Sequence, residues 1–160
     1  MKGQPDVIKE LNDALHAELT AIVQYMVQSE LCGNWGYTRL GNEIKKQAIE
    51  EMHHAEGLIE RIVFLDAIPK VDVGIQPKVS ENVKAILEDN LAAEKDAVRQ
   101  YNRAVHICQV NGDAGTREMF EHMVQDEEEH TDHLEAQLQS ISDMGIANWL
   151  SRRMMAADKK

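Results

Sequence analysis

Apolar residues recur every three to four positions through four long stretches of the chain, the period of an amphipathic helix. The stripes run Leu11, Leu15, Ile22, Tyr25; then Ile44, Ala48, Ala55, Leu58, Ile62; then Leu87, Leu91, Val98, Tyr101; and last Phe120, Val124, Leu134, Leu138. The first helix is predicted from Pro5 or Asp6, good first-turn residues, to Leu31 or Cys32. Gly33-Asn34-Trp35-Gly36-Tyr37 makes a turn, and Thr38 is placed to cap a second helix reaching about Asp66. Residues 67–77 lack helical periodicity, and their apolar residues with Pro69 and Pro77 predict an extended crossover. So long a connection lets the second helix pair run parallel to the first. Ser80, followed by Glu81, is the expected cap of a third helix to Val110, and Asn111-Gly112-Asp113 turns the chain. The fourth helix is predicted from Gly115 or Thr116 to Met144, with Gly145 as its C-cap. A short amphipathic segment, 146–155, reads as a fifth helix. Its Trp149, Leu150 and Met154 need a partner surface, which a neighbouring subunit would supply. The reading is all-α: one domain over 1–160, a four-helix bundle over 1–145, then a short C-terminal helix and tail.

The halves repeat. Residues 76 positions apart occupy equivalent places, such as Leu11 and Leu87, Ile44 and Phe120, Tyr25 and Tyr101, Cys32 and Cys108. The same offset joins Glu18 to Glu94, Glu51 to Glu127 and His54 to His130. Glu51-x-x-His54 and Glu127-x-x-His130 each set a carboxylate and an imidazole one helical turn apart, on one face. Composition alone supplies about one such spacing by chance, and Glu50-x-x-His53 is a decoy one register away. Chance does not readily place all four acids within apolar stripes. An unpaired buried carboxylate costs several kcal/mol, roughly, and no Lys or Arg recurs on these faces to offset it. A metal pair is the simplest compensation, a proton-sharing network the other. Four carboxylates and two imidazoles form the ligand set of a di-iron site in a four-helix bundle.

Composition agrees. Aromatics are 4% of 160 residues, and Ala, Leu, Glu and Met are plentiful, as in an all-α domain. A net charge of −11 argues against sequence-independent nucleic-acid binding and suits a protein that attracts cations. No apolar run follows Met1-Lys2, so neither a signal peptide nor a membrane span is expected. Two cysteines without metal-site spacing fit reduced thiols of the cytoplasm, although sequence leaves a disulfide open.

Several stretches resemble bacterioferritin over almost the whole length. They are Met1-Lys2-Gly3, Glu18-Leu19-Thr20-Ala21-Ile22, Asn34-Trp35-Gly36, Glu50-Glu51-Met52-His53-His54-Ala55-Glu56, Ile59-Glu60-Arg61-Ile62, Asp126-Glu127-Glu128-Glu129-His130 and Leu134-Glu135. The two Glu-x-x-His segments indicate the wider ferritin-like group. Met52 after Glu51, the Trp35 turn and the short fifth helix are more specific.

The resemblance implies a ferroxidase that stores iron in a hollow homo-oligomeric cage of twenty-four subunits built from dimers, with O2 or H2O2 as oxidant. It implies two iron ions per subunit: Glu18 and His54 on one, Glu94 and His130 on the other, Glu51 and Glu127 bridging. Tyr25 would hydrogen-bond a ligand carboxylate, or else be a core tyrosine with a satisfied hydroxyl. Haem b at a two-fold interface would take Met52 from each of two chains as axial ligand, or Met52 merely packs there. Leu19, Val23 and Met26 would line that pocket, where relatives often carry Asn and Phe in place of the last two. Lys45-Lys46 stands where some relatives have a His for an inner-wall iron site. A ferredoxin-type reductant is the expected partner for iron release; nucleic acid and membrane are not expected partners. His16, His53, His106, His122 and His133 read as surface residues. Two other readings use similar residues. A rubrerythrin-type di-iron oxidase or peroxidase fits less well, since its rubredoxin-like Cys-x-x-Cys pair is missing. A DNA-protecting mini-ferritin, with ligands between subunits, fits less well too.

Overall fold

A computed structural model describes residues 1–71, 78 and 80–154. It comprises α1 (Pro5–Asn34), α2 (Thr38–Phe64), α3 (Val83–Val110), α4 (Ala114–Met144) and α5 (Ile146–Ser151). The expected all-α bundle with a short fifth helix is what forms. Helix ends follow local chemistry. Pro5 opens α1, where its missing N–H costs nothing, and Asp6 lies in the first turn. Asp113 caps α4 by accepting from the backbone N–H of Thr116, and Gly145 closes it at φ 79°.

Some predicted boundaries shift. Asn82, not Ser80, caps α3, accepting from the Ala85 N–H, while the Ser80 hydroxyl donates to Asp89. Thr38 lies inside α2 behind an uncapped Tyr37, and α2 stops at Phe64 rather than Asp66. The turn between α1 and α2 requires Gly41, because an added Cβ would meet the Ser29 carbonyl oxygen at 2.8 Å. Most of the predicted crossover lies outside the described residues. Its flanks are tied to α1, with Asn12 accepting from the Lys70 N–H and Gln24 from the Lys78 N–H.

α2 folds back on α1, α4 on α3, and α1 packs against α3, while α2 and α4 stand apart across a groove. Contacts such as Tyr25–Glu94 and Tyr101–Glu18 show α1 and α3 running antiparallel. The expectation that the second pair runs parallel to the first is corrected accordingly: α3 runs antiparallel to α1, and a half-turn relates the two pairs. A buried amide cluster bridges α1 and α3 near one end. Gln24 and Gln28 donate to Asn90 Oδ1 at 3.1 and 2.9 Å, and Asn90 donates back to Gln28 at 2.8 Å. Apolar residues form two clusters, one around Leu11, Leu58 and Phe120, the other around Leu40, Leu87 and Trp149. Glu18, Glu51, Glu94 and Glu127 are buried in the mid-length stretch of their helices.

The fifth helix differs from expectation. Trp149 is 3% exposed within its own chain, packed in the second cluster with Leu40 and Ile44. Arg153 stacks over its ring at 4.4 Å and accepts the Arg39 N–H through its carbonyl. The partner surface that Trp149 needed is the bundle itself, because the turn at Gly145 sends the helix back over the end of α4. Met154 and Ile146 remain exposed. Among the described residues, no helix is long and apolar enough to cross a membrane. Trp149→Ala should therefore lower stability by about 3 kcal/mol, as large-to-small core changes do. Chemical denaturation at fixed subunit concentration measures it; an unchanged midpoint would mean that α5 contributes little to the fold.

Candidate metal centre

Each of the four long helices delivers one glutamate to the buried middle of the bundle, and α2 and α4 each add a histidine one turn later. Two groups of ligand-type atoms result, each with all its atoms within 4.8 Å of one another: Glu18, Glu51, His54, Glu127, and Glu51, Glu94, Glu127, His130. Glu51 and Glu127 belong to both. The His54 Nδ1 atom lies 3.5 Å from Glu18, 3.1 Å from Glu51 and 3.3 Å from Glu127. His130 Nδ1 lies 3.3 Å from Glu51, 3.9 Å from Glu94 and 2.9 Å from Glu127. All six predicted ligand candidates thus meet in one place. Met52 is elsewhere, on the outer face of α2 and 41% exposed, as Val23 and Met26 of α1 are exposed.

Proximity forces proton uptake. Burial pushes Glu18 and Glu94 up to about 8, with neighbouring carboxylates adding to the shift. Burial would also raise Glu51 and Glu127, but the two imidazoles beside them, His130 and His54, outweigh it and hold both below the usual range. The histidines invert that balance: burial would lower them, and contacts with the surrounding glutamates raise them well above the ordinary imidazole range. At neutral pH these shifts favour protons on Glu18, Glu94 and both imidazoles with Glu51 and Glu127 ionised, a balance that leaves the six side chains without net charge. One atom remains unserved, since Glu51 Oε1 is buried without a hydrogen-bond donor of acceptable geometry. Oxygen-rich donors with two imidazoles and an orphaned carboxylate oxygen fit divalent iron, which four carboxylates would neutralise two ions at a time.

Sequence reading missed part of the surroundings. Tyr25 donates to Glu94, across to α3 rather than within its own helix, and Tyr101 donates to Glu18 in return. The repeat offset paired these tyrosines, yet Tyr101 received no role. Asp126 approaches His54 Nε2 at 3.1 Å, and Glu50, set aside as part of a decoy, approaches His130 Nε2 at 3.4 Å. Both line the groove of about 780 Å³ between α2 and α4, which opens onto the two histidines. The five histidines without a role are exposed.

These shifts set a pH dependence for the metal-free protein. Glu18 and Glu94 keep protons up to about 8 that the unfolded chain sheds near its ordinary carboxylate value. His54 and His130 likewise keep protons beyond the ordinary imidazole value. The native state therefore binds more protons across this window, and its stability falls as pH rises from about 6 to about 9. Glu51 and Glu127, held down, lose their contribution only under acid conditions. Thermal unfolding after chelator treatment should show this decline, and added divalent metal should abolish it by displacing the protons. A metal-free profile that rises across the window would refute the charge assignment.

A ferritin-like domain model matches residues 8–144. A bacterioferritin of Brucella melitensis biotype 1 is 42% identical over 159 residues, covering 99% of both chains. A bacterioferritin of Rhodobacter capsulatus is 39% identical over 91% of this chain and 90% of its own. Bacterioferritin BfrA of Mycobacterium tuberculosis is 35% identical, covering 91% of each. Matches of that extent, on a bundle whose helices converge four glutamates and two histidines, place this chain in the bacterioferritin group of the ferritin-like family.

Proposed function

We propose that the chain stores iron and acts as a ferroxidase, with iron as substrate and cargo. The observation that carries this reading is the pair of four-residue ligand groups sharing Glu51 and Glu127. In it Glu18 and His54 hold one ferrous ion, Glu94 and His130 the other, and the shared carboxylates bridge. Each ion gives up one electron, so a pair reduces O2 to H2O2, or H2O2 to water, with two protons taken up in either case. Carboxylates stabilise the ferric product more than the ferrous substrate, which makes oxidation easier at this site than in water. Tyr25 and Tyr101 fix the rotamers of Glu94 and Glu18 by donating to them.

Copies of the chain assemble, in this reading, into a closed cage of twenty-four that keeps the oxidised iron inside the cytoplasm. A ferredoxin-type reductant would return it. Apolar side chains left uncovered on α1 and α2, including Val23, Met26 and Ile49, give a dimer contact its surface. Met52, one turn beyond Ile49 on α2, is exposed on that side of the chain. Two copies about a two-fold axis would bring two sulfurs together and hold one haem b. Bound there, haem would supply a one-electron relay between the outside and the stored iron.

Glu127→Ala removes an atom set from both ion positions, so fast Fe(II) oxidation in stopped-flow should vanish while native mass stays that of a large assembly. Wild-type oxidation rates in this variant would refute the centre; a dimeric native mass for the wild type would refute the cage.

Met52 carries a separate expectation. Protein from haem-replete cells should show a Soret band, absent in Met52→Leu, with Fe(II) oxidation retained. Colourless wild-type protein after haem addition would leave Met52 as packing.

A further inference from the structure

Beyond the six ligand-type side chains, the groove brings two more acids to the outer nitrogens of the histidines. Asp126 Oδ2 lies 3.1 Å from His54 Nε2, and Glu50 Oε2 lies 3.4 Å from His130 Nε2. Positions 50 and 126 are again 76 apart, so the contact is made twice, once in each half. Each acid sits one residue before a shared carboxylate. A helix turns by about 100° per residue, so when Glu51 and Glu127 point inward the preceding acids stand at the groove rim.

An imidazole offers a lone pair to a cation only as the neutral ring, and its proton then sits on the other nitrogen. Here Nδ1 of both histidines faces the buried carboxylates, where an ion would lie, so in the ion-bound form the ring proton belongs on Nε2. A carboxylate opposite Nε2 accepts that N–H, favours that tautomer and sets the plane of the ring. Lys46 approaches the other oxygen of Glu50, Oε1, at 3.4 Å, leaving Oε2 turned towards His130.

We infer that Asp126 and Glu50 are positioning residues working in a crossed arrangement. Asp126 on α4 orients His54 of α2 for the pocket with Glu18, and Glu50 on α2 orients His130 of α4 for the pocket with Glu94. The inference rests on the metal-centre reading above. A rival role for two acids in an open groove is to attract cations by charge alone, and the two roles differ in pattern. Attraction serves both pockets together and is screened by salt. Orientation acts on one pocket per acid and survives salt.

Metal-stripped assembled protein would be titrated with Co(II), followed by its d–d absorption, and Co(II)-soaked crystals would locate each ion by anomalous scattering. Wild type should take up two Co(II) per chain. Asp126→Asn should weaken the pocket of Glu18 and His54 by about 10- to 100-fold and leave that of Glu94 and His130 unchanged. Glu50→Gln should do the reverse, and the crossed pattern should persist at high ionic strength. Both side chains are 40% or more exposed, so neither change disturbs the core. Equal weakening of both pockets, weakening that disappears in salt, or no weakening would overturn the crossed roles. Wild-type protein that binds no Co(II) pair would overturn the metal-centre reading itself, and this inference with it.

Discussion

Four carboxylates placed in the middle of an apolar bundle must be neutralised where they stand, because burial leaves them almost no solvent-facing surface to do it. The metal-free chain solves this with protons: two on Glu18 and Glu94, one extra on each of His54 and His130. Two divalent ions would solve it equally well, with all four carboxylates ionised and both imidazoles neutral. Either way the net charge of the core is zero. Proton uptake and ion binding are therefore alternative answers to one electrostatic demand, and exchanging protons for ions would release protons rather than create charge.

That demand explains why apolar packing lies on both sides of the acids. The cluster around Leu11 and Phe120 and the cluster around Leu87 and Leu134 carry the hydrophobic stabilisation, so the layer between them is free to be polar. The tyrosines stand at the boundary. Each ring is buried with an apolar cluster while its hydroxyl satisfies a carboxylate of the opposite helix pair.

The six convergent side chains were legible because they break a pattern: an acid in an apolar stripe stands out, and the 76-residue offset repeats the anomaly. Helix ends were legible where a cap or glycine is unambiguous, as at Pro5 and Gly145. They were less so where several capping residues compete, as at Ser80 and Asn82. Asp126 and Glu50 were obscured because, among so many surface acids, an acid at a groove rim has no signature. Its meaning comes from a histidine on another helix. Trp149 showed that α5 must pack on something, but amphipathicity does not say whose surface. The Gly145 turn decided that.

A half-turn symmetry can hold only for parts that exist twice, and the connection from α2 to α3 exists once. Where it reaches Gln24 through the Lys78 N–H, the α1–α3 contact is bridged by Gln28 and Asn90. At the opposite end the corresponding positions are the buried alanines Ala104 and Ala14. The helix at Trp149 packs with Tyr25, Leu87 and Leu134, on the same side as the amides. The core of acids is indifferent to which end is which; the connection at Lys78 and the last helix are not. They give a nearly symmetric bundle a head and a tail, the distinction that any directional packing of copies would need.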